Sequence, residues 1–137
     1  MNNLIIHTDG AYSSSRNQGG VGIVFVKDDK VIFQYSRTFK NTTNNRCELS
    51  AVIIALNSIS KPFDSITIYS DSQYVINSIN LGWQRKKNIQ LWEYFDKIYE
   101  QAKTYCKDIK FVWEKGHNDS KFNIIADDLA VNASHGY

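Results

Sequence analysis

The chain has 137 residues, 42% of them hydrophobic and 22% charged, and carries a formal net charge of +2 from sixteen basic and fourteen acidic residues. That size fits one ordinary domain spanning residues 1–137, able to bury about two-thirds of its unfolded surface without a disulfide or metal staple. The composition excludes disorder and low complexity, and the weak net charge speaks against a partner held by bulk electrostatics alone.

Leu4–Thr8 is an apolar run that reads as a buried strand ending at Asp9-Gly10. Ser13–Gly20 is a polar loop, and Val21–Val26 is a second β-prone run closed by Asp28-Asp29. From Val31 to Phe39, apolar and polar residues alternate with period two, which predicts an antiparallel strand with one face more buried. Asn41 to Asn45 are cap and turn residues. Leu49, Val52, Ile53 and Leu56 then recur at helix spacing, and the helix is expected to stop before Pro62, the only proline. Ile66–Ser70 predicts a strand, Ser72–Leu81 a helix, and Leu91, Phe95, Ile98 and Ala102 a second helix stripe. Ile109–Trp113 alternates as a strand, Lys115–Asn123 reads as a polar loop, and Ile124–Ala133 as a final helix. The order predicts an α/β fold: a mixed five-stranded sheet, with a three-strand antiparallel meander plus parallel strands, and helices packed on both faces.

No run is long and apolar enough for a membrane span, and no charged-then-apolar leader opens the chain. Cys47 and Cys106 do not make a disulfide framework, so a reducing, cytoplasmic setting is expected.

Four acids fall at comparable places. Asp9 ends the first strand, Asp71 follows the fourth, and Glu48 and Asp127 are expected in the first turns of the long and the last helix. Sites in open α/β sheets form near strand ends, so these side chains could converge. Each also has a plainer reading. Asp9-Gly10 is a common turn pair, and Glu48 three residues after Asn45 matches a capping box. Asp71 suits a helix cap, and Asp127 suits a helix dipole. If they converge, like charges raise one another's pKa until cations relieve the repulsion. An all-oxygen donor set suits Mg²⁺ or Mn²⁺, and no Cys/His spacing suggests zinc.

The words around these acids are specific. Thr8-Asp9-Gly10-Ala11, Thr43-Asn44-Asn45-Arg46-Cys47-Glu48-Leu49, Ser70-Asp71-Ser72-Gln73-Tyr74-Val75, Trp113-Glu114-Lys115-Gly116-His117 and Ala126-Asp127-Asp128-Leu129-Ala130 together resemble ribonuclease HI, in order and spacing. The resemblance covers nearly the whole chain. It implies an endoribonuclease that cuts the RNA strand of RNA–DNA hybrids by two-metal-ion catalysis, leaving 5′-phosphate and 3′-hydroxyl ends. Asp9, Glu48, Asp71 and Asp127 match the family's metal-binding carboxylates, with two Mg²⁺ per site and Mn²⁺ as a substitute. Asp9 would be shared, Glu48 and Asp71 would complete one site, and Asp127 the other. His117 matches a loop histidine that assists product departure, while His7 and His135 match nothing and are expected to be structural or surface residues.

Asn44, Asn45 and Gln73 match residues that contact the hybrid in its minor groove, where the 2′-hydroxyl distinguishes RNA from DNA. Thr43 and Asn88 match a pocket for a DNA-strand phosphate, with Lys40 and Lys87 adding charge. Trp83 corresponds to an aromatic packed on a DNA sugar, and equally suits a core or surface-patch tryptophan. The loop after Asp9 lacks the Gly/Pro-rich character of many relatives. Between Asp71 and Leu91 the long basic handle is missing, with Arg85-Lys86-Lys87 as its remnant. No amino-terminal hybrid-binding module precedes Asp9. The start at Met1 and the well-formed first strand lead to the expectation of a free-standing enzyme, and a monomer is expected. The alternatives are a non-catalytic hybrid-binding module and a domain detached from a reverse transcriptase. Two divalent ions add four charges to the apo sum of +2, giving +6 for the loaded enzyme.

Overall fold

In the computed structural model, which describes residues 2–82, 85–115 and 120–136, three long strands come first: β1 (Asn3–Ser13), β2 (Gln18–Lys27) and β3 (Lys30–Lys40). Then follow α1 (Asn44–Asn57), β4 (Ser65–Ser70), α2 (Gln73–Asn80), α3 (Ile89–Ala102), β5 (Ile109–Trp113) and α4 (Lys121–Ser134). The sheet order is β3-β2-β1-β4-β5, antiparallel across β1–β2–β3 and parallel across β1–β4–β5. This is the expected mixed five-stranded sheet with helices on both faces.

One face carries the main core. Leu4, Ile6, Ile23, Phe25, Ile66, Ile68, Ile109 and Phe111 meet Leu49, Val52 and Leu56 of α1, Val75 of α2, and Trp92, Phe95 and Ile98 of α3. Helix α1 lies between the sheet and α3, so its burial extends beyond the expected stripe to Cys47, Glu48, Ala51 and Ala55. The opposite face is smaller. Val24 and Val26 pack there on Ala126, with Phe122, Ile125 and Leu129 of α4 around them.

Several element boundaries differ from the sequence expectation, and each has a local cause. Strand β1 does not end at Asp9 but runs to Ser13, because β2 keeps pairing with it as far as Ser13 opposite Gln18. Only its parallel partner β4 stops early, with His7 opposite Tyr69 as the last pair. Strand β3 alternates cleanly only in part. A register shift between Phe25 and Val26 sets Phe25 opposite Phe33 but Val26 opposite Val31, so Val31 packs on the α4 side and Tyr35 on the α1 side. Helix α4 begins at Lys121, inside the expected loop, because Ser120 caps it by accepting from the Asn123 amide.

Candidate carboxylate site

The early end of β4 opens the sheet beside Asp9. There the Thr8 hydroxyl donates to the Tyr69 carbonyl at 2.9 Å, tying β1 to β4 one residue before Asp9. Asp71 leaves β4 at the same level. Its backbone carbonyl accepts from the Trp113 indole at 3.2 Å, and the Glu114 amide donates to the Ser70 carbonyl at 2.8 Å, so β5 props the turn from outside. Asp71 is not the helix cap; Ser72 is, accepting from the Val75 amide at 3.2 Å. The Asp71 carboxylate is thereby free of local capping.

Glu48 arrives from α1. That helix is capped by Thr43, whose hydroxyl accepts from the Arg46 amide at 3.2 Å, so Glu48 lies in the second turn and takes no part in a capping box. Asp127 is likewise one turn further into its helix than the sequence suggested. The close approach of α1 to β1 depends on Gly10. A Cβ there would lie 2.5 Å from the Glu48 amide nitrogen and 2.7 Å from the Cys47 carbonyl carbon. Glu48 Oε1 accepts from the Gly10 amide at 2.6 Å. Gly22 does the same for α4: a Cβ there would collide with the Ala126 carbonyl oxygen, one residue before Asp127.

Asp9, Glu48 and Asp71 each bring a carboxylate oxygen within 4.8 Å of the others. Asp9 and Glu48 are buried, at 5% and 6% exposure. Burial pushes Asp9 up to about 9, and hydrogen bonding and charge from Asp127 and Asp71 push it the same way. Asp9 thus feels acids from two elements, Asp71 after β4 and Asp127 of α4. Glu48 is also raised, first by burial and then by Asp71 and Asp9, with the Gly10 amide opposing. Asp71 Oδ1 is buried with no hydrogen-bond partner. Crowded, raised carboxylates with an unpaired oxygen are consistent with a site for a hard divalent cation.

The remaining candidate residues surround this cluster unevenly. Thr43, Asn44 and Asn45 are exposed at the start of α1, and Gln73 is exposed at the start of α2. Asn88, half-buried, precedes α3 with a left-handed backbone (φ 59°), and its side chain does not cap the helix. Its Oδ1 instead accepts from Arg46 Nη1 at 3.2 Å. Lys40 and Lys87 are exposed. His117 and Trp83 lie outside the described residues. His7, expected to be a structural or surface residue, is buried and stacks on Tyr69 with ring centroids 5.1 Å apart. Its Nδ1 lies 3.2 Å from Glu114 Oε2, a pairing that no sequence pattern announced.

The ribonuclease H family model matches residues 1–135. The chain belongs to the ribonuclease H family. A ribonuclease H of Clostridium botulinum is 36% identical, with 97% of this chain and 96% of that protein covered. Solved ribonuclease H structures share the fold. RNase H1 from the archaeon Halobacterium salinarum NRC-1 superposes with a TM-score of 0.78 at 24% identity, covering 98% of this chain and 99% of that one. LC11-RNase H1, solved in complex with an RNA/DNA hybrid, gives 0.76 at 24% identity, with 97% of each chain covered. The carboxylate cluster thus sits in a family of nucleases, and among the described residues no helix is long and apolar enough to cross a membrane.

Proposed function

We propose that this ribonuclease H family member is an endoribonuclease that hydrolyses the RNA strand of RNA–DNA hybrids, leaving 5′-phosphate and 3′-hydroxyl ends. The observation that carries the reading is the meeting of Asp9, Glu48 and Asp71 within 4.8 Å, with Asp127 acting on Asp9 from α4. In this reading Asp9 is the shared ligand, which the action of both Asp71 and Asp127 on its carboxyl supports. Glu48 and Asp71 complete one metal position and Asp127 the other. When bound, two Mg²⁺ ions, or Mn²⁺ in their place, supply water activation and charge stabilisation of the leaving oxygen.

The chain's own residues prepare that chemistry. The Gly10 amide holds Glu48 in place, and the Thr8–Tyr69 and Trp113–Asp71 bonds fix the two strand ends. Ligands positioned in advance need little reorganisation during reaction. Asn44, Asn45 and Gln73 present amides that can donate to and accept from a 2′-hydroxyl. Thr43 and Asn88 take a phosphate of the DNA strand. His117 is proposed to carry a proton for the departing product, since an ordinary histidine titrates near neutrality.

Incubation with labelled RNA–DNA, RNA–RNA, DNA–DNA and single-stranded RNA, with and without Mg²⁺, tests the reading. Cleavage confined to the RNA of the hybrid, and dependent on metal, is the expected result. Metal-independent cleavage, or none of the hybrid, overturns it.

A further inference from the structure

Residues 85–88, which lead into α3, are held at both ends. Arg85 places its guanidinium 4.3 Å over the Trp92 ring and 5.7 Å from the Phe95 ring centroid. The same guanidinium donates from Nη1 to both oxygens of Asp96, at 2.8 and 3.0 Å. A guanidinium can lie flat on a ring while its planar fork pairs with a carboxylate, a geometry that the compact ammonium of lysine does not reproduce. Trp92 is itself anchored, donating at 2.8 Å to the hydroxyl of Tyr74 in α2, beside Gln73. At the other end Asn88 accepts from Arg46 of α1. Lys86 and Lys87 stand exposed between these two anchors. Arg46, Lys86, Asn88, Ile89, Gln90 and Glu93 line an open depression of about 600 Å³ beside them.

We infer that Arg85 is a positioning residue for hybrid binding, and not a phosphate contact: joined to Asp96 and Trp92, it holds Lys86, Lys87 and Asn88 where the nucleic-acid backbone passes. In sequence, three consecutive basic residues read as the remnant of a basic handle. The structure divides them into one anchor and two presented cations. The inference rests on the proposed hybrid substrate.

Steady-state cleavage of a short labelled hybrid across a salt series, with Mg²⁺ held fixed, tests it. Asp96→Asn removes a negative charge, which electrostatics alone would translate into tighter binding. The positioning role demands the reverse. KM should rise about fivefold with kcat within about twofold, because the loss is of ground-state binding shared with the transition state. Arg85→Lys keeps the charge but not the planar stack and fork, and should raise KM similarly. The double variant should be no worse than either single, as expected of one shared contact. Asp96 is largely exposed, with its side chain at 58%, and its isosteric replacement leaves Trp92 intact, so the fold is expected to persist. An unchanged or lowered KM in Asp96→Asn overturns the inference while leaving hybrid cleavage by the wild type in place. Failure of the wild type to cleave hybrid at all overturns the functional reading instead.

Discussion

The Gly10 amide donates to Glu48 Oε1 at 2.6 Å and to Asp9 Oδ1 at 2.9 Å. One backbone N–H thus serves two acids from different elements, where the α1 backbone closely approaches β1. The residue must be glycine for a spatial reason, since its missing side chain is where the α1 backbone lies.

Gly10→Ala therefore pushes α1 away from the strand. Overpacking of this kind destabilises by about 1–3 kcal/mol, and here it also draws Glu48 out of the cluster. Urea unfolding should show the loss, and Mg²⁺ should stabilise the variant less than the wild type. An alanine variant with normal stability and a normal metal response would show that α1 can retreat without disturbing the site.

Asp71 adds charge beside both buried acids. Asp71→Asn removes that repulsion along with a metal ligand. Hybrid cleavage should fall by at least about a hundredfold, while melting temperature without metal holds or rises. The measurement that separates ligand from scaffold is the metal-induced shift in melting temperature. It should shrink in Asp71→Asn, because an ion that binds only the folded chain stabilises in proportion to its affinity. A full shift in the variant would remove Asp71 from the metal set.

The raised Asp9 gives the metal-free protein a defined pH response. Its folded pKa of about 9 lies above the ordinary 3.8, so between those values the folded state holds a proton that the unfolded chain has released. Stability then falls as pH rises through that window, by up to about 1.4 kcal/mol per unit for one fully linked group. Glu48 is shifted the same way. His7 works in the opposite sense: burial lowers its pKa, so its contribution is lost as pH falls. The difference in stability between wild type and Asp9→Asn isolates the site from that background. It should grow in favour of the variant from pH 5.5 to pH 8 without metal. Mg²⁺ takes the proton's place and should bind more tightly as pH rises. A difference that does not change with pH would mean that Asp9 is ionised in the empty site.

Much of this was legible because the relevant signals are local. Helix spacing in α1 and α3, the apolar runs of β1, β2 and β4, and the words around each acid lie within a few residues of one another. What was missed depends on contacts far apart in sequence. Asp9-Gly10 has the composition of a turn, yet β2 carries β1 through it. The Val31 face switch follows from a bulge in pairing with β2, which strand alternation cannot reveal. Neither the commitment of Arg85 to Asp96 nor the burial of His7 against Glu114 leaves a periodic trace. Thr43, not Asn45, caps α1. Both are good caps, and only the backbone shows which one stands at the boundary.

That last point separates stability from recognition at the start of α1. Thr43 accepts from the Arg46 amide, so Thr43→Ala should cost about 1 kcal/mol with no nucleic acid present, and Thr43→Ser should restore it. Asn44 and Asn45 are the first two helical residues and are exposed. Their replacement by alanine should change stability by less than about 0.5 kcal/mol. If they read the RNA strand, both variants should nonetheless raise KM for the hybrid at unchanged melting temperature, whereas Thr43→Ala should move both quantities. Parallel urea midpoints and steady-state kinetics on the same preparations decide the matter. A stability loss in Asn44→Ala equal to that in Thr43→Ala would assign the asparagine to the helix start and remove it from the recognition set.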